Sequence, residues 1–141
     1  MKLSERAKYY YLDENMNCAV SVLLAASDHY DLGLTKADAK MMVGFGGGLG
    51  CGHLCGALSG AVAAMGKLLL PDGVMRSHDF AEICAEFVAS FEKEWATNMC
   101  GELKEKIFDP DVRCAKAVLK TADMLQEYLD KILAENRTFN Q

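Results

Sequence analysis

The residues of this chain best equipped for chemistry are its six cysteines, Cys18, Cys51, Cys55, Cys84, Cys100 and Cys114. A thiolate is a nucleophile and a soft metal ligand, whereas a buried neutral thiol behaves as a small hydrophobe. Spacing narrows the choice. No pair is arranged C-x-x-C, which argues against a thioredoxin-type dithiol, a zinc ribbon and a zinc knuckle. C-x-x-C-H for covalent haem and the close-spaced ferredoxin runs are missing as well. Cys51, His53 and Cys55 form a local group of soft-metal donors with no second motif beside it. Cys51 and His53 are therefore the weaker metal candidates. His29 and His78 have polar neighbours and take no role.

Two of the cysteines lie in GFGGGLGCGHLCGALSGAV, Gly44 to Val62, an uncharged stretch rich in glycine. Glycine loops can cradle phosphate, but neither phosphate signature is present. Gly66-Lys67 is followed by Leu68, and Ala61 stands where a Walker motif needs its first glycine. G-x-G-x-x-G fails in every register from Gly44 to Gly52, and no buried strand precedes the loop.

Composition sets the bounds. A chain of 141 residues with a net charge of −5 reads as one domain, residues 1–141, without need of a metal or disulfide merely to fold. It has no basic run, so nucleic acid is not an expected partner. Met41 to Gly66 is free of charged residues and long enough to cross a bilayer. The Gly46-Gly47-Gly48 triplet would break such a helix, so no membrane span is expected. The N-terminus lacks an apolar signal region, which gives a cytoplasmic expectation. Cysteines kept reduced there are more often metal ligands or redox groups than a disulfide framework.

The elements that must position these thiols all read as helices. Ser4 is the expected cap of a first helix to about Asp13, carrying the Tyr9-Tyr10-Tyr11 run. Asn15 or Asn17 caps a second, ended by Gly33, and Thr35 caps a short third through Val43. The glycine loop, Gly44 to about Gly52, then feeds a helix starting near His53 and running to Leu70. Ser77 caps the next, whose stripe is Phe80, Ile83, Cys84, Phe87, Val88, Phe91 and Trp95. Thr97 to Phe108 reads as short and irregular, with Cys100 opening a short helix capped by Asn98 and a solvated Lys104-Glu105-Lys106 run. Asp109 as cap and Pro110 as first residue begin the last helix, with Val112, Ala115, Val118, Leu119, Ala122, Leu125, Leu129, Ile132 and Leu133 on its inner face. Asn136 to Gln141 is expected to fray. The fold class is all-α, a compact bundle of five or six helices with a glycine-rich loop leading into a central helix.

Placed on these helices, the cysteines divide. Cys84 falls in an apolar stripe and reads as core. Cys18, Cys55, Cys100 and Cys114 all fall near helix N-termini, where free N–H groups and the positive dipole end favour a thiolate. Gly52, Gly56, Gly60 and Ala64 recur every fourth residue and make a bare face that admits a second helix or a cofactor. A dimer seam would use the same face, so a homodimer is open.

Cys55-Gly56-Ala57-Leu58-Ser59-Gly60 reads C-G-A-x-x-G. With Cys18 upstream and Cys100 and Cys114 downstream, the chain resembles a family of redox-active proteins defined by four cysteines, one of them in this motif. Asn17-Cys18-Ala19, the glycine run and Cys100-Gly101-Glu102-Leu103 share the family's texture, and the similarity covers roughly residues 4 to 120. The resemblance implies that Cys18, Cys55, Cys100 and Cys114 are the functional set. Cys51 and Cys84 lie outside it.

Three functions follow. The four thiols could carry thiol/disulfide exchange or electron transfer, Cys55 with Cys18 being one pairing, as an oxidoreductase needing no cofactor and working with a redox partner protein or a small thiol. They could instead ligate an iron–sulfur cluster or another thiophilic metal, with Gly52, Gly56 and Gly60 making room for it. Or the chain is a helical binding module with inert buried cysteines.

Overall fold

A computed structural model describes residues 1–141. It is all-helical, with seven α-helices: α1 Leu3–Lys8, α2 Cys18–Tyr30, α3 Lys36–Ala39, α4 Gly56–Leu69, α5 His78–Trp95, α6 Cys100–Ile107 and α7 Ala115–Ala134. The count exceeds the expected five or six because α6 is a full helix. Only Cys100 and Leu103 of its CGELKEKI sequence are buried, too few positions to register as a helical period.

Several caps stand where the sequence puts them. Asn17 accepts the Val20 N–H at 3.0 Å and starts α2. Thr35 and Asp38 close a reciprocal capping box on α3. Ser77 accepts the Phe80 N–H at 3.2 Å and starts α5. Ser4, by contrast, lies inside α1, whose first N–H at Leu3 donates to the Gln126 side chain on α7. The second helix stops at Tyr30 with Asp31 as its left-handed C-cap, and Gly33, left-handed as well at a φ of +74°, follows two residues later.

The centre of the bundle is α2. Every residue from Ala19 to Ser27 is buried, which is how a helix apolar on all sides must sit. Helix α4 lies along it, and glycine decides how closely. A Cβ on Gly60 would overlap the Ala19 carbonyl oxygen and come within 3.1 Å of its carbon. A Cβ on Gly56 would overlap the Cys18 sulfur. The bare face thus brings the start of α2 against the start of α4.

Two expectations about the ends of this arrangement need correcting. The fourth helix begins at Gly56, not near His53, so Gly52 is not on its face. Gly52 sits in the preceding coil opposite Gly101, with a φ of +79°. The tail does not hang free either. Phe139 is 1% exposed and meets the Phe80 ring edge-on at 6.0 Å, tying residues beyond α7 to α5. No helix is long and apolar enough to cross a membrane.

Candidate functional site

Each of the four cysteines marks the first turn of a different helix. Cys18 is the first residue of α2 and Cys100 the first of α6. Cys55 is the N-cap of α4 and Cys114 the N-cap of α7. The four helix starts meet at a single cavity of about 180 Å³, which all four cysteines line. Its wall is mostly apolar, completed by Gly56, Ala57, Leu103, Phe108, Ala117 and Val118.

Backbone bonds between distant segments hold the starts together. The Cys55 N–H donates to the Asn98 carbonyl at 2.8 Å, and the Cys100 N–H donates to the His53 carbonyl at 2.6 Å. These two bonds tie the entry to α4 to the entry to α6. Gly48 lies beneath them, where a Cβ would come within 2.7 Å of the Cys100 Cβ. Its φ of +65° is the left-handed turn that the glycine loop supplies. Asn98 is not the cap of α6. Met99 is, without a side-chain bond of its own, and its N–H donates to the Thr97 hydroxyl at 3.0 Å.

Cys114 is held from the other side of the chain. Its N–H donates to the Tyr11 hydroxyl at 3.0 Å, and Tyr11 is only 4% exposed. The Arg113 guanidinium stacks 4.1 Å above the Tyr11 ring and donates to the Tyr11 carbonyl. This explains why α7 starts five residues later than Asp109-Pro110 suggests. Asp109 and Arg113 exchange backbone hydrogen bonds across a tight loop, and Arg113 takes a left-handed φ of +55°. For a residue with a Cβ that conformation costs about 1–2 kcal/mol. The bonds between Asp109 and Arg113 and the stacking on Tyr11 offset it.

For three of the four cysteines electrostatics corrects the expectation of thiolates, and burial is the largest cause in each. It raises the Cys55 thiol from 9.0 to about 12, the neighbouring Cys18 and Cys100 adding to the rise and the amides of Leu58 and Ala57 opposing it. Burial also raises Cys100 and Cys114, and the Lys104 ammonium partly offsets both. At neutral pH these three sulfurs are protonated thiols. All six cysteines are free.

The remaining candidates divide by position. Of Gly52, Gly56 and Gly60, only Gly56 lines the cavity, while Gly60 is occupied by the Ala19 backbone. Cys51 and His53 are exposed and do not line it. Cys51 Sγ instead points at the Gly48 carbonyl, 3.6 Å away. No three Cys, His, Asp or Glu side chains are grouped so as to hold a metal ion. Cys84 is half-buried beside the core rather than enclosed in it.

Five lining residues have no site role in the sequence: Tyr11, Lys104, Phe108, Arg113 and Ala117. The charged run around Lys104 predicts a solvated face. Lys104 is exposed, yet it stands at the rim of the cavity.

A family model described as "Putative redox-active protein (C_GCAxxG_C_C)" matches residues 16–128. The chain belongs to this redox-active protein family. The matched segment contains all four cavity cysteines and stops short of Tyr11, so the hydroxyl that holds Cys114 comes from outside it. No curated protein and no solved structure matches the chain.

Proposed function

We propose that Cys18, Cys55, Cys100 and Cys114 form one redox centre that exchanges disulfides. The observation that carries this is their convergence, from four separate helix starts, on one small apolar cavity. Cys18 and Cys55 are the first pair to consider, because the Cys18 sulfur rests on Gly56, the residue after Cys55. In the step, two protein thiols and one incoming disulfide become one protein disulfide and two small thiols. The thiol protons leave with the two departing sulfurs, and the incoming disulfide is the oxidant.

The raised thiols shape the kinetics of such a centre. Cys55, protonated at neutral pH, is a slow first nucleophile. Cys18 is more open to solvent and heads its helix, and it suits attack, with Cys55 resolving the mixed disulfide.

The test is to expose the reduced chain to a small disulfide, quench with an alkylating reagent and map the peptides. The reading expects loss of two hydrogens from a pair drawn from the four cavity cysteines, reversed by reductant, with Cys84 still alkylated. Oxidation confined to Cys51 and Cys84 would refute it.

An iron–sulfur centre at the same four thiols is the second reading. It is favoured by the charge of the lining, whose charged residues, Lys104 and Arg113, are both cations. Cations of this kind suit the negative charge of a thiolate-ligated cluster. Against it stands the absence of any grouping of three metal-ligating side chains. Stoichiometric iron and sulfide after anaerobic purification would displace the disulfide reading in its favour.

A further inference from the structure

The charged lining of the cysteine cavity is one-sided. Its only charged residues are Lys104 and Arg113, both cationic, in a chain whose net charge is −5. Neither is in a salt bridge, although the chain has four such pairs elsewhere. Lys104 makes no side-chain hydrogen bond, unlike its neighbour Lys106, whose ammonium is spent on the Trp95 carbonyl at 2.7 Å. Arg113 uses one donor on the Tyr11 carbonyl and lays its flat face on the ring, so the rest of its five-donor fork is unspent.

Two unneutralised cations beside thiols define a chemistry of ligand: a sulfur compound carrying negative charge. Resting on the disulfide-exchange reading above, we infer that the oxidant taken by this cavity is a small organic disulfide bearing carboxylates, held by Lys104 and Arg113 while its S–S bond faces the cysteines. A protein thiolate attacks one sulfur of the ligand and a mixed disulfide forms, releasing the first carboxylate-bearing thiol. A second cavity cysteine then attacks the protein sulfur of that bond and releases the other. Two protein thiols are oxidised, one ligand disulfide is reduced, and both thiol protons end on the released products. The cavity volume of about 180 Å³ suits a group of this size rather than a folded partner.

The experiment compares three symmetric disulfides of similar length: dithiodipropionate, a dianion; cystamine, a dication; and hydroxyethyl disulfide, which is neutral. Each reacts with the reduced chain at low ionic strength, and oxidation of the cavity cysteines is followed by quenched peptide mapping. Leaving-thiol acidity also differs among the three, so each rate is divided by the rate of the same disulfide with a small neutral thiol, and the ratio of dianion to dication on that scale reads the charge of the ligand. On that normalised scale the dianion is expected to react roughly tenfold faster than the dication, with the advantage shrinking as salt is added. Lys104→Gln should reduce that ratio several-fold and Lys104→Glu should bring it to one or below. Thermal melts of both variants check the fold, which an exposed position such as Lys104 is expected to leave intact. Equal normalised rates for all three reagents, or an unchanged ratio in Lys104→Gln, would overturn the ligand assignment while leaving disulfide exchange standing. No reaction at any cavity cysteine would overturn both.

Discussion

Replacing Gly60 with alanine measures how far the site depends on the contact between α2 and α4. The added Cβ would overlap the Ala19 carbonyl oxygen and stand 3.1 and 3.2 Å from the Ala19 carbonyl carbon and Cα. All three obstacles are backbone, in a helix buried from Ala19 to Ser27, so no side chain can swing aside. Overpacking of this kind costs about 1–3 kcal/mol, and a backbone wall puts it near the top of that range. Alanine returns about 1 kcal/mol through helix propensity. The expected net loss is about 2 kcal/mol, or roughly 4–8 °C in melting temperature for a chain of this length.

Gly66→Ala on the same helix is the control. Its Cβ would meet only the tip of the Phe80 ring at 3.7 Å, an ordinary contact. There the propensity gain of about 1 kcal/mol should survive and raise the melting temperature by roughly 2–4 °C. Circular dichroism melts of the two variants read the difference in sign. Because the start of α2 carries Cys18, Gly60→Ala should also slow disulfide formation between Cys18 and Cys55. A Gly60→Ala protein as stable as Gly66→Ala would refute the claim that glycine sets the helix separation.

Other outcomes follow from the same structure. Burial raises Cys55, Cys100 and Cys114, so the unfolded chain releases these protons at lower pH than the folded one. The stability they protect is present below about pH 9 and lost as pH climbs toward 12, by about 1.4 kcal/mol per unit for Cys55 alone, and urea titrations across that range should show the decline. Tyr11→Phe removes the acceptor of the half-buried Cys114 N–H; it should cost about 1 kcal/mol and speed hydrogen exchange at that amide. Phe139→Ala should cost about 3–5 kcal/mol in a chemical melt, because Phe139 is 1% exposed, whereas a frayed tail would make it neutral.

Much of this was readable from sequence where the signal is local. Asn17, Thr35 and Ser77 are side chains whose own oxygen caps the helix that follows, and each does so. The four cysteines at helix starts were legible for the same reason. What the sequence hid depends on contacts between remote segments. Tyr11 sits in an aromatic run that reads as an ordinary amphipathic surface, and its role appears only when α7 places the Cys114 N–H over it, 103 residues away. Lys104 lies in a charged run whose solvated reading is half right, since one exposed lysine of that run borders the cavity. The start of α7 was misplaced because Asp109-Pro110 is a good local cap signal. The Asp109–Arg113 loop overrides it, and its left-handed arginine has no sequence signature. For Cys55, Cys100 and Cys114 the thiolate expectation fails on burial, which local position does not reveal.

The central claim is that the four cavity cysteines act as one redox centre, and an equilibrium redox titration tests it most directly. The reduced chain is brought to equilibrium in graded mixtures of a small thiol and its disulfide, quenched by alkylation and mapped by peptide. A single two-electron transition is expected, its lost thiols drawn from Cys18, Cys55, Cys100 and Cys114, with Cys51 and Cys84 free throughout. A transition carried by Cys51 or Cys84, or none across the whole range, would contradict it.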